Sequence, residues 1–359
     1  MAVLSNMIDR GHEQVVYFND PKVGLKAIVA IHDTTLGPSL GGCRMWDYKN
    51  EEEALIDVLR LSKGMTYKAA IAGLKLGGGK SVIIGNSKTD KSEDLFESFG
   101  NFVENLNGKY ITAEDVGTTE RDMEIVRTKT EHVTGVSKQN GGGGDPSPVT
   151  AYGTYIGIKA SASYRLNVSS LSGLKIIVQG IGSVGEALVS YLCNDGADVY
   201  INDIDLEKLN DVSKKYNVKI VGLNDLYDFN ADIYAPCALG ATVNDLTINK
   251  FKCSIIAGAA NNVLLNPEKH GLELKNRGIL FAPDYVINAG GLINVANEIE
   301  GYDEVKVKND TEKIYDTLLN IYNISEEKDI STSKASSQLA MQIIAEKNES
   351  KFIEFNYDK

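Results

Sequence analysis

Histidine, cysteine, tryptophan and proline are all scarce in this chain, with four, four, one and seven among 359 residues. Cys43, Cys193, Cys237 and Cys253 are too widely spaced for a paired metal-ligand motif, and the histidines at 12, 32, 132 and 270 are equally scattered, so no metal centre is expected. Such cysteines suit buried thiols in a reducing cytoplasm better than a disulfide framework. No run reaches the ~18 apolar residues of a membrane span. The opening MAVLSNMIDRGHEQ meets Asp9 and Arg10 before any long apolar stretch, which argues against a signal peptide. Positive charge is also short: 37 Lys and Arg stand against 49 Asp and Glu, a net charge of −12 that disfavours nucleic acid as a main partner. What is present is ordinary for a water-soluble globular chain, 43% hydrophobic and 24% charged, and long enough for two cores.

The pattern predicts an α/β fold in two domains. In the first half, KAIVAIHD (26–33) reads as a strand. A helix follows in which Leu55, Val58, Leu59 and Ser62 share one face, then the strand SVIIG. Ser92 opens a second amphipathic helix carrying Leu95, Phe99, Phe102 and Leu106 inward, and Thr119-x-x-Asp122 starts another after the strand KYITAEDVGT. Four glycines in NGGGGDPSPVT (140–150) cannot belong to an element interior, so a loop or hinge and the domain boundary are placed there. Residues 1–140 form the expected first domain and 141–330 the second, with helices from 331–359 returning to the first. In the second half LKIIVQ, ADVYIND, DIYAPCA, SIIAGAA and GILFAP read as parallel strands.

The stretch GLKLGGGKS (73–81) is a near miss for a phosphate-binding P-loop: Leu74 stands where the first glycine is needed, and a β-branched run follows instead of a helix. It reads as a glycine turn that lets a backbone or ligand approach closely and ends in Lys80 entering a strand, its plain alternative being a tight turn with a solvated lysine.

Gly180, Gly182 and Gly185 form G-x-G-x-x-G between a strand and a helix, where the helix N-terminus can bind a pyrophosphate. Asp203 closes the next strand, placed to accept from both adenosine ribose hydroxyls and to repel a 2′-phosphate. The expected cofactor is NAD, held by Gly180, Ile181, Gly182, Ser183, Val184, Gly185, Glu186 and Asp203.

Seven segments then combine: LGPSLGGCRMW, SKGMTYKAAIAGLKLGGGKSVI, AEDVGT, GIGSVG, APCALGA, GAANN and DYVINAGGLINVA. In this order they resemble the amino-acid dehydrogenases of the glutamate/leucine/phenylalanine/valine group, with the leucine-type members nearest. The resemblance covers about residues 25–300. It implies an N-terminal α/β substrate domain, a Rossmann-type doubly wound NAD domain, and reversible oxidative deamination of an L-amino acid to a 2-oxo acid, ammonium and NADH. It also implies a homo-oligomer, commonly an octamer. By the same resemblance Lys80 is the base that activates water and Asp115 exchanges protons with the substrate amine. An ordinary lysine, with a pKa of about 10.4, would be protonated at neutral pH. A base here therefore needs burial or a second cation, and Lys68 is the natural one. Lys68, Gly41 and Gly42 would hold the substrate carboxylate, with Met65 beside them. Thr150 would meet the nicotinamide carboxamide, Asn262 would orient substrate and ribose, and Ala238, Gly240 and Asn261 would line the cofactor track.

The side-chain pocket is expected from Leu40, Ala113, Leu292 and Val295. Glutamate-specific members carry a lysine where Leu40 stands. A glutamate carboxylate facing leucine would lose its hydration uncompensated, at a cost of several kcal/mol. Branched-chain substrates, leucine foremost, are therefore expected. Leu292 departs from the smaller residue of leucine-type members and leaves valine, isoleucine and phenylalanine open, since one methylene discriminates by only about 1–3 kcal/mol. A non-catalytic NAD-binding regulator is the rival from another class.

Overall fold

The computed structural model describes residues 3–357. It divides into two compact units: one runs to Asp145 and includes Asn294–Glu304 and the stretch from Ala340, and the other comprises Pro146–Ile293 and Val305–Leu339.

The first unit contains α1 (Val3–Arg10), β1 (Gln14–Asp20), β2 (Leu25–Asp33), β3 (Ser39–Trp46), α2 (Glu51–Ile71), β4 (Gly77–Ile84), α3 (Glu93–Glu104), β5 (Tyr110–Glu114) and α4 (Glu120–Arg127). Its sheet runs β1-β2-β4-β3-β5. β2 is antiparallel to both β1 and β4, while β3 is parallel to β4 and β5. α2 covers one face, where Val58 and Leu59 meet Ile28, Ala30 and Val82. α3 and α4 cover the other, where Leu95, Phe96, Phe99 and Met123 meet Val29, Met45 and Ile83. The helix starts follow from local chemistry. Asn50 caps α2 by accepting from the Glu53 N–H, Ser92 caps α3 by accepting from Leu95, and Thr119 and Asp122 form a reciprocal capping box on α4.

One sequence expectation is corrected here. Gly77, Gly78 and Gly79 are not a turn before the strand; they are its first residues, all buried. None of the three has a positive φ. They are needed for space. A Cβ on Gly77 would lie 2.0 Å from the Asp33 carbonyl oxygen, one on Gly78 would lie 2.1 Å from the Thr66 nitrogen, and one on Gly79 would lie 2.7 Å from the Tyr110 ring. The turn itself falls earlier, at Gly73, whose φ is +68°.

The second unit holds α5 (Ser147–Leu166), β6 (Lys175–Gln179), α6 (Ser183–Asn194), β7 (Asp198–Asn202), α7 (Leu206–Tyr216), β8 (Lys219–Ile220), β9 (Ile233–Pro236), β10 (Ile255–Ile256), α8 (Pro267–Asn276), β11 (Leu280–Phe281) and α9 (Asp284–Ile287). α10 (Gly290–Ala296), α11 (Glu304–Glu312), α12 (Ile314–Glu327) and α13 (Thr332–Tyr357) follow, with the ends of α10, α11 and α13 divided between the units. All six strands are parallel, in the order β11-β10-β9-β6-β7-β8. Chain direction across the sheet reverses at β6, and ligands of such sheets bind beyond the strand ends at that switch point. β6 is buried on both faces, which explains why its apolar run does not alternate. Among the described residues no helix is long and apolar enough to cross a membrane.

The loop NGGGG is anchored within the first unit. The Glu298 carboxylate accepts from the Gly135 and Gly143 N–H groups at 2.8 and 2.9 Å. A Cβ on Gly142 would lie 1.9 Å from the Val136 carbonyl oxygen, so this glycine too marks close packing.

Candidate functional site

Strand alternation gathers the candidates of the first unit on the face of the sheet that α2 covers. Leu40, Gly42 and Arg44 of β3, Gly78, Lys80 and Val82 of β4 and Ala113 of β5 point the same way. Arg44 pairs with Asp57 on α2 and Gly78 lies against Thr66 of α2, which fixes that face. Lys80, with only 5% of its surface exposed, reaches the Asp115 carboxylate at 3.1 Å. Asp115 stands just beyond β5, in a turn closed by Thr118, whose hydroxyl accepts from the Asp115 N–H and donates to the Cys43 carbonyl.

Two cations meet on one carboxylate oxygen, since Asp115 Oδ2 also accepts from Arg44 Nε at 3.0 Å. Burial pushes the Asp115 carboxyl up, but Lys80 and then Arg44 outweigh it and hold the group below the usual carboxylate range. The neighbouring Glu114 goes the other way, raised by burial and by the charges of Asp145 and Glu120. Two adjacent carboxylates thus sit in opposite electrostatic settings.

The paired glycines of β3 leave no room for side chains. A Cβ on Gly41 would lie 1.7 Å from the Gly79 carbonyl oxygen, and one on Gly42 would lie 2.4 Å from that of Glu114. Tyr110 locks this arrangement, its hydroxyl donating to the Gly41 carbonyl and hydrogen-bonded to Ser81 Oγ at 2.9 Å. Lys68 and Met65 lie half-buried on α2, which packs along β4. Leu40 and Ala113 are buried within β3 and β5, and Val295 also belongs to the first unit.

In the second unit the three fingerprint glycines serve three different needs. Gly180 takes φ +88°, and a Cβ there would lie 2.7 Å from that of Ala238. A Cβ on Gly185 would lie 1.9 Å from the Gly180 carbonyl oxygen, so α6 packs tightly on the turn. A Cβ on Gly182 would meet nothing within 4 Å, leaving open space at the mouth of the helix. α6 begins there with no side chain capping it, so its first N–H groups suit an anion. Asp203 accepts from the Ile181 N–H at 2.7 Å and from the Asp205 N–H at 3.0 Å. Its burial raises its carboxyl, but N–H donors from Asp205, Ile181 and Ile204 bring it below the usual value. These residues fit a dinucleotide: a glycine turn, an open helix end and an ionised acid beyond the next strand.

Other expected positions fall around that core. Ala238 and Gly240 lie in an exposed loop, joined to the next loop where the Asn262 carbonyl accepts from the Ala241 N–H at 2.7 Å. Asn262 adopts φ +52°, and the Asn261 side chain accepts from Asn288. Thr150 sits in the first turn of α5, its hydroxyl donating to the Pro146 carbonyl, and Leu292 is buried on α10. Ser183 and Val184 occupy the first turn of α6. The Glu186 side chain is turned to Lys215 of α7 at 2.8 Å. Sequence reasoning passed over Arg44, although it lies two residues beyond Gly42 on a strand, and period-two alternation puts it on the Lys80 face. It also passed over Glu298, for which no local pattern exists.

Two family models match the chain: the Glu/Leu/Phe/Val dehydrogenase dimerisation domain over residues 12–132, and Glutamate/Leucine/Phenylalanine/Valine dehydrogenase over 141–351. A leucine dehydrogenase of Bacillus subtilis (strain 168) is 49% identical over 340 residues, 95% of this chain and 93% of that protein. One of Bacillus cereus is 51% identical over 334 residues, 93% of this chain and 91% of that protein. The crystal structure of L-tryptophan dehydrogenase from Nostoc punctiforme superposes with a TM-score of 0.86 at 43% identity, covering 97% of this chain and all of that one.

Proposed function

The chain belongs to the glutamate/leucine/phenylalanine/valine dehydrogenase family, and on that premise we propose that it catalyses reversible, NAD-dependent oxidative deamination of L-leucine and other branched-chain L-amino acids. The products are the 2-oxo acid, ammonium and NADH. The observation that carries the reading is the contact of buried Lys80 with half-buried Asp115, 3.1 Å apart on a glycine-lined sheet face.

Asp115 takes a proton from the substrate ammonium, its ionised state favoured by Lys80 and Arg44. NAD, when bound, supplies the hydride acceptor at the substrate Cα. Lys80, once it has released its own proton, takes one from the water that adds to the substrate's iminium carbon; Asp115 then returns its proton to the amine nitrogen, and the C–N bond breaks as the adduct's hydroxyl proton is lost to solvent. Lys68, with the backbone at Gly41 and Gly42, binds the substrate carboxylate. Leu40, Ala113 and Val295 supply apolar surface to a branched side chain in place of a charged partner.

NAD in preference to NADP is supported by Asp203, whose carboxylate would repel a 2′-phosphate. Homo-oligomeric assembly and a cytoplasmic location are part of the same reading.

The test is a set of initial rates over leucine, valine, isoleucine, phenylalanine, tryptophan and glutamate, each with NAD and with NADP. Leucine with NAD should be fastest and glutamate negligible. Dominance of an aromatic substrate would transfer the assignment within the family, and equal rates with NADP would remove the role given to Asp203. No turnover with any amino acid, together with tight NAD binding, would favour a non-catalytic regulator.

A further inference from the structure

Asp115 also belongs to a connected polar network, of which the steps above use only the charge of Arg44. Arg44 spans it. Its Nε donates to Asp115 Oδ2 at 3.0 Å, and its Nη1 donates to Asp57 Oδ2 at 2.9 Å. Asp57 is held in turn, accepting from the Tyr48 hydroxyl at 2.8 Å and from Arg60 at 3.0 Å. A planar guanidinium bonded to two carboxylates through different nitrogens cannot rotate without breaking one of them. A pocket of about 700 Å³ is lined by Arg44, Tyr48, Asp57, Arg60, Trp46 and Val116 among others.

We propose that Arg44 is the positioning residue of the deaminating site: clamped to α2 by Asp57, it fixes the Asp115 carboxylate so that Oδ2 faces the two cations and Oδ1 is presented to the substrate amine. This rests on the reading of Asp115 as the group that exchanges protons with that amine. Thr118 holds the Asp115 backbone, but Lys80 is a flexible chain that donates from a single nitrogen and cannot by itself set the rotation of a carboxylate. Arg44 supplies the missing constraint. A lysine at 44 would keep the charge but lack the planar fork that holds both carboxylates in one orientation.

The arrangement is also electrostatic. Charged and titratable groups facing Asp115 are Lys80 from β4, Arg44 and Cys43 from β3, Tyr48 after β3, and Tyr110 and Glu114 from β5. Asp57 of α2 acts through Arg44. The Cys43 thiol is pushed up to about 12 by burial and the Tyr48 and Tyr110 hydroxyls are raised further, so all three stay neutral through the working range. Removing Arg44 therefore leaves Lys80 alone to hold Asp115 ionised against burial, and the protonation of Asp115 moves to higher pH.

The test compares pH profiles of kcat/KM for leucine in the wild type and in Arg44→Met, Arg44→Lys, Asp57→Asn and Asp115→Asn. In Arg44→Met the acid limb should move up by about one pH unit and kcat should fall at least tenfold, with the NAD dissociation constant unchanged. Arg44→Lys should restore part of the limb but little of kcat, and Asp57→Asn should move the limb less, in the same direction. An unmoved limb in both Arg44→Met and Asp57→Asn, with activity falling only as thermal stability falls, would overturn the proposal. If Arg44→Met does not fold, Asp57→Asn decides. Full activity in Asp115→Asn would instead show the reading of Asp115 to be at fault, so the two failures are distinguishable.

Discussion

Two glycine-rich segments, Gly77–Gly79 and Gly180–Gly185, look alike in composition and do opposite physical work. In the first, no φ is positive, the residues are strand, and every absent Cβ corresponds to an atom of a neighbouring element within 2.7 Å. In the second, one glycine turns the chain at φ +88°, one admits a helix, and one borders open space. Glycine as a space-maker within a sheet yields rigidity and holds Lys80 at a set distance from Asp115. Glycine at a strand-to-helix turn yields an accessible helix end. Adjacent glycines therefore need not mean flexibility; what their missing side chains would strike decides.

Three substitutions break or sharpen this contrast. The largest effect is expected at the residue the first segment serves: Lys80→Ala should lower turnover by about a thousandfold while NAD binding, measured by fluorescence titration, stays within twofold of the wild type. Normal turnover would deny Lys80 its role as base. Next, Gly41→Ala, which drives a methyl into the Gly79 carbonyl, should cost about 3 kcal/mol of stability by urea unfolding. A loss below about 0.5 kcal/mol would mean that β3 and β4 can part easily and are not the rigid frame described. The smallest structural effect belongs to Gly182→Ala, whose φ of −60° suits alanine and whose added methyl meets nothing. Its stability should change by less than about 1 kcal/mol, while NAD affinity falls about tenfold because that methyl projects where backbone must approach the pyrophosphate. Unaltered affinity would place the pyrophosphate elsewhere.

Much of the scaffold was legible beforehand for local reasons. Ser92 and Thr119-x-x-Asp122 mark helix starts because a cap is chemistry within four residues. KIIVQ followed by GIGSVG announces a buried parallel strand and a dinucleotide turn because both signals are contiguous. The strand identity of Gly77–Gly79 was not legible, because its cause lies in Asp33, Thr66 and Tyr110, remote in sequence. The Glu298 anchor on the glycine loop was hidden for the same reason, its partners lying more than 150 residues away.

The candidate site divides along the same line. Lys80 and Asp115 could be named from motifs, but their direct contact at 3.1 Å could not. Arg44 stood in a quoted motif and went unassigned until Asp57 and Asp115 were found on either side of it.

By itself, the sequence determined several of the strands and helices, where α3 and α4 begin, which turn suits a dinucleotide and which family the chain joins, because each is written in residues close together or in motif order. Only the tertiary structure decided why β3 and β4 need glycine at 41, 42 and 77–79, which carboxylate oxygen the two cations share, and what holds that carboxylate still. These depend on contacts between distant segments, and a contact exists only once the sheet has brought its strands together.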